Sequence, residues 1–299
     1  MKKLSFLVFL FFLALGINAQ SNFLLYSFKG NVTVVENGAE AKAKIGKMLN
    51  SNATVKVPTG GVVTMICNEA AMFTITKAGA YPLNRFGDSC KVSSSSVSAN
   101  YVKYVWASMT KDAGSPGSNR KAYMNTVGAV ARSVYPVWID PKLDTVNYAG
   151  GEFPLSWTCY CDSKTYNFHM FTEDNLSTPF YSAVVSKLKI PITDFAAKLT
   201  VGKRYYWTSS LPEREENDQI KVLNYVSKEA YAEVLNKFKS QGAAFEAPAE
   251  EAYRLAFMLE DAHFLAEALQ YYTKAATLDT LNVLYRTTLM SFKKDYEIK

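Results

Sequence analysis

The sequence predicts a multi-domain protein of mixed β and α class, with two β modules followed by a C-terminal helical segment. Up to about residue 226, short runs of alternating apolar and polar residues are separated by turns rich in Gly, Asn and Pro, the pattern of antiparallel sheets. From residue 227 onwards, apolar residues recur three and four positions apart, the spacing of amphipathic helices. Of the 299 residues, 48% are hydrophobic and 14% aromatic, so a packed core is expected and not a disordered chain.

The first residues have the pattern of a secretory signal peptide. Lys2 and Lys3 precede an apolar run of about a dozen residues, and Ala19 supplies a small residue for cleavage. The run is shorter than the roughly twenty residues that a membrane span requires. We therefore expect residues 1–19 to be removed on export, leaving a periplasmic or secreted protein; an uncleaved membrane anchor is the alternative.

Net charge argues against two classes of partner. The formal charge of +6 falls to +4 when the signal removes two of the 33 Lys and Arg, because 27 Asp and Glu remain. A charge this small predicts neither nucleic-acid binding nor attraction to an anionic membrane. No second apolar run of eighteen residues follows, so we expect membrane association only through a partner.

Residues 20–92 form the first predicted β module. The stretch from Gly30 to Val34 alternates, and Asn37-Gly38 is a strong hairpin signal. We interpret the stretch from Ala78 to Tyr81 as a further turn, before Leu83. Short strands with this punctuation indicate a sandwich or rolled sheet.

This module resembles the FecR-type β domain. The matching residues are Gly30-x-Val32-x-Val34, Ile45-Gly46-x-x-Leu49, Val55-x-Val57-Pro58-Thr59-Gly60-Gly61 and Lys77-Ala78-Gly79-Ala80-Tyr81. The pattern departs at Asn68-Glu69, where such domains usually have an Asp-Gly-like turn. Regulators of that family also carry a membrane span and a cytoplasmic segment, which this sequence does not show. The resemblance therefore implies the extracytoplasmic module and not the transcriptional role.

Four cysteines allow three pairings. Cys67 with Cys90 is favoured because both belong to the first module. Cys159 and Cys161 lie two apart in a strand-like run, where they would share one face and a bond between them would close a tight ring. We expect them to be small packing side chains, with a bonded redox pair or a metal pair as alternatives.

Residues 93–133 are predicted to be a connector. A serine linker is followed by a short amphipathic helix from Ala99 to Met109 and by a mobile loop from Asp112 to Asn119. Trp106 on the predicted helix is the candidate ligand-facing aromatic residue.

Residues 134–226 form the second predicted β module. Phe153-x-Leu155-x-Trp157 and Gly202-x-x-Tyr205-Tyr206-Trp207 resemble strands of immunoglobulin-like or fibronectin-type sandwiches. We expect Trp157 and Trp207 to pack in the core. His169 is interpreted as a satisfied or solvent-facing histidine and not as a catalytic one.

Residues 227–299 are predicted to be helical. Ser227 is a helix cap, Gly242 ends the first helix and Pro248 begins the next. On the two helices that follow, the residues predicted to pack together are Leu255, Ala256, Leu259, Ala268, Tyr272 and Ala275. This pattern resembles one tetratricopeptide repeat, although His263 replaces the usual turn glycine and Thr280 the usual proline.

The sequence shows no familiar catalytic motif, and its two histidines leave little room for a histidine triad or metal cluster. We therefore predict no catalytic, cofactor or metal site. The favoured hypothesis is a non-enzymatic envelope scaffold or adaptor with a protein partner. The alternatives are a sensor module that binds a ligand or glycan, and an enzyme of unrecognised type.

Overall fold

The computed structural model describes residues 22–90, 97–110, 120, 124, 136–140, 143–214, 217, 219–242 and 246–298. The predicted signal peptide, the serine linker and the loop from Asp112 to Asn119 lie outside the described residues. The described chain is mostly strand up to Tyr225 and helical after Ser227, so the predicted β plus α class is confirmed. It divides into two compact units, residues 1–94 and 95–299.

Within residues 22–90, the first unit contains eight strands and one 3-10 helix. The strands are β1 (Asn22–Lys29), β2 (Thr33–Glu36), β3 (Ala39–Lys42), β4 (Met48–Asn50), β5 (Thr54–Val57), β6 (Val62–Cys67), β7 (Ala71–Ile75) and β8 (Gly79–Pro82), and the 3-10 helix is Leu83–Cys90. They form two antiparallel four-stranded sheets, ordered β4-β1-β6-β7 and β3-β2-β5-β8. One core of aliphatic and aromatic side chains lies within this unit.

Local signals account for most turns of this unit. Asn37 and Gly38 have φ values of 50° and 81° and join β2 to β3, as a two-residue hairpin requires. Gly79 to Pro82 is a strand and not the predicted turn, because its backbone pairs with β5. A disulfide joins Cys67 to Cys90, the pairing that the sequence favours.

The described part of the second unit begins with helix α1, and nine described strands follow. Helix α1 is Val97–Thr110. The strands are β9 (Val137–Trp138), β10 (Thr145–Tyr148), β11 (Pro154–Ser156), β12 (Thr158–Cys159), β13 (Tyr166–Thr172), β14 (Tyr181–Val185), β15 (Lys189–Pro191), β16 (Arg204–Ser210) and β17 (Lys221–Tyr225). Short 3-10 helices at Ile192–Asp194 and Ala196–Lys198 follow β15.

Five of these strands form the main sheet of the unit, in the order β10-β17-β16-β13-β14. All neighbours are antiparallel except β10 and β17, and two small ladders pair β11 with β15 and β12 with β9. Phe168 of β13 lies between Trp157 and Trp207, with ring centroids 6.2 and 5.9 Å away. Both tryptophans are buried, which confirms the predicted core packing.

Among the residues described after Ser227, four helices complete the second unit: α2 (Lys228–Ser240), α3 (Pro248–Asp261), α4 (Leu265–Leu278) and α5 (Val283–Asp295). The Ser227 hydroxyl accepts a hydrogen bond from the Ala230 N–H at 3.1 Å, and Pro248 occupies the first turn of α3, so both predicted starts are confirmed. Helix α2 ends at Ser240, two residues before Gly242. No helix of the described ranges has the length and apolar character of a membrane span.

Helices α3 and α4 form a hairpin. The connecting residue His263 has a φ of 62°, the left-handed conformation in which a glycine is the usual residue. All six residues predicted to pack the hairpin are buried. Tyr104 of α1 stacks on Phe257 of α3, with ring centroids 5.1 Å apart.

Arg120 is buried against the helices. Its guanidinium binds both carboxylate oxygens of Glu260, at 2.6 and 2.8 Å, and Asp295 at 2.9 Å. Tyr272 and Tyr296 donate hydroxyl hydrogen bonds to the same glutamate. This network anchors the connector on the helical core.

Candidate ligand-binding groove

Four polar side chains lie in one row across the end of the five-stranded sheet. Asn147 of β10 is paired with Asn224 of β17, and Asn224 is paired with Arg204 of β16. Glu173 follows directly after β13 and contacts Arg204. Residues directly opposite each other on neighbouring strands point to the same face of a sheet, so the row has one orientation.

Hydrogen bonds fix the orientation of the row. The Asn147 amide donates to the Ala262 carbonyl oxygen at 2.9 Å and accepts from the Asn224 amide, also at 2.9 Å. Asn224 in turn accepts from Arg204 Nε at 3.2 Å, and Arg204 Nη1 lies 3.5 Å from a carboxylate oxygen of Glu173. Each amide is therefore held by partners on both sides.

The charged end of the row is open to solvent. The side chains of Arg204 and Glu173 are 52% and 61% exposed. A guanidinium has five N–H donors and a carboxylate has about four acceptor positions, so both groups retain capacity for a ligand. Lys203 adds a second positive charge beside Arg204.

The row lines a groove of about 630 Å³, within the size range of ligand sites. The other lining residues are Gly202, Lys203, Tyr225, Val226, Ser227 and Ala230. Gly202 has a φ of 82°, and its N–H donates to the Tyr225 carbonyl at 2.6 Å. A side chain at this position would be strained by the backbone conformation. One wall is thus a tight turn and the other is the start of α2.

A partly apolar row lies beside the polar row. On each strand, the residue two positions from the polar row is paired with its counterpart on the next strand. These residues are Thr145, Val222, Tyr206 and Phe171. All four are half-buried, whereas the alternate residues Tyr205, Trp207 and Leu223 are buried. The same face of the sheet therefore presents hydrogen-bonding groups next to two aromatic rings.

His169 and Ser182 form a hydrogen bond on this face, with the Nδ1 and Oγ atoms 2.8 Å apart. A histidine and a serine at this distance are the geometry of a base and a nucleophile. Neither residue lines the groove, and both lie on paired strand surface. We interpret the pair as a surface hydrogen bond, in agreement with the satisfied histidine expected from the sequence.

Metal-ligand residues are dispersed. Within the described ranges, no group of three His, Cys, Asp or Glu side chains is placed to hold a metal ion. The chemistry that the groove supports is hydrogen bonding and ion pairing.

The structure corrects two expectations about site residues. Trp106 is only 7% exposed, because it lies on a buried face of α1, so it is not presented to a ligand. Cys159 and Cys161 are joined by a disulfide and are not free packing side chains. The strand ends at Cys159 and the chain bends at Tyr160, which brings the two sulfur atoms together.

Sequence reasoning missed the residues of the groove. The Ser227 cap is predicted from the sequence, but its position opposite the turn at Gly202 is not. The available signal was that Asn147, Asn224 and Arg204 are polar residues beside apolar ones in the segments that form β10, β17 and β16. That signal becomes specific only when the strand order is known.

Comparison with models of known protein families gives no match to this chain. No curated protein matches its sequence either.

Proposed function

We propose that this protein is an exported, non-enzymatic adaptor of the bacterial envelope, and that its groove binds an extended segment of a partner protein. One observation carries the proposal: the row formed by Asn147, Asn224, Arg204 and Glu173 is held in place by its own hydrogen bonds and lines an open groove. The predicted signal peptide supports export, and the resemblances to FecR-like, immunoglobulin-like and tetratricopeptide-like modules support the recognition role.

The chemistry of the row suits a polypeptide main chain. An extended peptide offers alternating N–H and C=O groups, and asparagine amides can both donate and accept. Neighbouring strands are about 4.8 Å apart, so a row across four strands spans about 14 Å, or roughly four residues of extended chain. The row therefore matches a short extended segment.

The net charge of the groove indicates which extended segments it would bind. Lys203 and Arg204 lie together at the groove and Glu173 partly neutralises them, so one positive charge is in excess. A guanidinium binds a carboxylate with two parallel hydrogen bonds. We therefore propose that the partner segment carries an acidic side chain.

The test is affinity capture by the tagged mature protein from its own envelope fraction, compared with two variants. Arg204→Gln removes the charge from the groove, and Lys237→Gln removes one charge from an exposed position on α2. We expect one partner to be recovered by the wild type and by Lys237→Gln, and at least about tenfold less by Arg204→Gln, the loss expected for one charged hydrogen bond.

The captured partner then provides a peptide probe. A synthetic peptide that covers its acidic segment should compete for the wild-type protein, and the same peptide with the acidic residue changed to its amide should not. Equal recovery of the partner by Arg204→Gln and the wild type would place the contact elsewhere on the molecule.

A glycan-binding role is the second candidate, favoured by the half-buried rings of Tyr206 and Phe171 beside the polar row. Its test is titration of soluble peptidoglycan fragments into the wild type and into Tyr206→Ala. Binding that persists at high salt and weakens in Tyr206→Ala supports this role. If calorimetry detects no heat of binding, the role is rejected. Trp106→Ala is not a suitable probe, because it would disturb a buried contact.

A further inference from the structure

The two disulfides of this protein lie in different environments. Cys67 is fully buried and Cys90 is 8% exposed, inside the core of the first unit. Cys159 and Cys161 are both partly exposed, and Tyr160 between them is 83% exposed. Thiol–disulfide exchange needs access of a thiolate to one sulfur atom, and only the second disulfide offers it.

The two disulfides also differ in the loop that they close. Cys67 and Cys90 are 23 positions apart, whereas Cys159 and Cys161 are two apart. The entropy that a disulfide removes from the unfolded chain rises with the length of the closed loop. The bond between Cys159 and Cys161 is therefore the weaker contributor to the stability of the fold.

Other contacts hold both sides of the short loop. Before it, Thr158 and Cys159 pair with β9, and the Tyr160 N–H donates to the Pro136 carbonyl oxygen at 3.1 Å. After it, the Tyr166 hydroxyl donates to the Ser163 carbonyl oxygen at 2.9 Å. The bend is thus supported without the disulfide. We therefore expect the two sulfur atoms to stay adjacent when the bond is opened, so that the bond can form again.

We propose that Cys159 and Cys161 are a thiol–disulfide exchange site whose substrates are thiols. A thiolate of the donor attacks one of the two sulfur atoms, a new sulfur–sulfur bond forms, and the bond between Cys159 and Cys161 breaks. The released thiolate takes up a proton. A second donor thiol then displaces the remaining cysteine, which also takes up a proton. The cysteine pair gains two electrons and two protons, and the donor dithiol is oxidised to a disulfide.

The experiment equilibrates the oxidised mature protein in buffers of reduced and oxidised glutathione, alkylates free thiols and locates them by peptide mass spectrometry. At the ratio that reduces half of the Cys159–Cys161 bonds, we expect Cys67–Cys90 to be reduced in less than about a tenth of the molecules. Oxidising the buffer again should restore the bond. Resistance of Cys159–Cys161 at every ratio, or reduction of both disulfides together, overturns the proposal.

A second arm identifies the source of the thiols. In this arm a reduced peptide with two cysteines replaces glutathione. If only the peptide reduces the Cys159–Cys161 disulfide, the substrates are protein thiols. If both the peptide and glutathione reduce it, small thiols are substrates as well. Failure of both donors rejects the site. The Cys161→Ser and Cys159→Ser variants are treated instead with the oxidised peptide. In each, the remaining cysteine thiolate should attack the peptide disulfide and retain the peptide as a mixed disulfide, and the second peptide cysteine leaves as a thiol.

A structural role is tested separately. The double variant Cys159→Ser/Cys161→Ser should keep the far-ultraviolet circular dichroism and the urea midpoint of the wild type, because the bend has other support. Loss of folding in this variant, with no exchange in the wild type, would show that the disulfide is only a structural link.

Discussion

Glu267 is a buried carboxylic acid in the first turn of α4, only 4% exposed. Its Oε1 atom accepts a hydrogen bond from the Ala149 N–H at 3.0 Å. Burial raises the pKa of Glu267 to about 7, because the charged form loses more hydration than the backbone N–H groups replace. The residue therefore takes up a proton close to neutral pH.

This pKa predicts a stability that falls as pH rises. The folded protein holds the Glu267 proton more tightly than the unfolded chain, so between about pH 4.5 and 7 the free energy of unfolding decreases. A pKa shift of this size corresponds to a decrease of about 3 kcal/mol in the free energy of unfolding. Glu267→Gln should remove this loss, which urea unfolding at pH 5 and pH 8 would measure.

The comparison of variant with wild type isolates Glu267 from other titrating groups. Burial lowers the pKa of His263 despite the carboxylates of Asp261 and Asp144, and a histidine of this kind favours folding as pH rises. That opposite contribution is present in both proteins and cancels in the difference. Glu233→Gln, at an exposed position of α2, is the matched control. If the free energy of unfolding of Glu267→Gln decreases with pH as much as that of the wild type, another group causes the decrease.

Glu69 occupies a strained position in the turn between β6 and β7. Asn68 and Glu69 have φ values of 50° and 61°, and Asn68 Oδ1 accepts from the Asn22 N–H at 2.8 Å. Asparagine tolerates this region, whereas glutamate does not adopt it readily. We predict that Glu69→Gly raises the free energy of unfolding by about 0.5–1 kcal/mol, net of the greater flexibility of the unfolded chain.

Thermal or urea unfolding of the mature protein measures this difference. The control is Ala70→Gly, at the next position, which lies outside the left-handed region and should be destabilised. A Glu69→Gly variant that is no more stable than the wild type would mean that the glutamate side chain offsets its own strain.

At the scale of elements, Arg120 joins the connector to two helices. Its side chain has no exposed surface, and its partners Glu260 and Asp295 belong to α3 and α5. The guanidinium also lies over the Phe292 ring, 5.4 Å from its centroid. Arg120 and Glu260 form a buried ion pair whose hydrogen bonds are made, and Asp295 is a second, partly exposed carboxylate. Removing one member of the network therefore leaves the others without that partner.

Removing one charge should therefore be costly. Arg120→Met leaves Glu260 buried without its cation, and we expect a loss of about 3–5 kcal/mol in the free energy of unfolding. The double variant Arg120→Met/Glu260→Gln keeps an acceptor for the hydroxyls of Tyr272 and Tyr296, so it should be more stable than Arg120→Met alone. Urea unfolding of both variants tests this, and a double variant less stable than the single one would contradict it.

The sequence predicted those elements whose signals are local. The Asn37-Gly38 turn, helix α1, the Ser227 cap and the Pro248 start each depend on a few neighbouring residues. The strand at Gly79–Pro82 was missed because its conformation depends on pairing with β5.

The groove and the Arg120 network could not be predicted for the same reason. Arg120 and Glu260 are 140 positions apart, and Asn147 and Asn224 are 77 apart. None of these residue types is unusual in its local sequence, so no local signal indicates the contact. The strand order, with its parallel pair β10 and β17, places Asn147 beside Asn224, and the packing of the connector on the helices places Arg120 beside Glu260.

At the scale of the whole molecule, the groove depends on both the sheet and the helices of the second unit. The Asn147 amide is oriented by the Ala262 carbonyl oxygen at the end of α3, and one wall is the start of α2. The Asn147 N–H also donates to the His263 carbonyl oxygen at 2.9 Å. A fragment of residues 227–299 lacks the groove residues Asn147, Asn224 and Arg204. A binding experiment on this fragment therefore cannot measure the groove.

The same contacts predict how this unit folds. Helix α3 is buried along most of its length, and its Tyr253 hydroxyl belongs to a cluster with Tyr104 of α1 and Thr288 of α5. Tyr296 packs on Phe153 of the β module, with ring centroids 5.5 Å apart. A fragment of residues 227–299 would expose these aromatic faces to water and leave the Glu267 and Asn147 contacts unmade.

We therefore predict that a fragment of residues 95–299 unfolds in a single transition, whereas residues 227–299 alone keep helix but lack fixed packing. The measurements are urea unfolding followed by both near- and far-ultraviolet circular dichroism, with dye binding to exposed apolar surface. Coincident transitions in the longer fragment indicate one cooperative unit, and dye binding with a weak near-ultraviolet signal identifies the loosely packed state. Two separate transitions in the longer fragment would show instead that the helices are an independent module attached to the sheet, and the groove would then lie at a joint between two folding units.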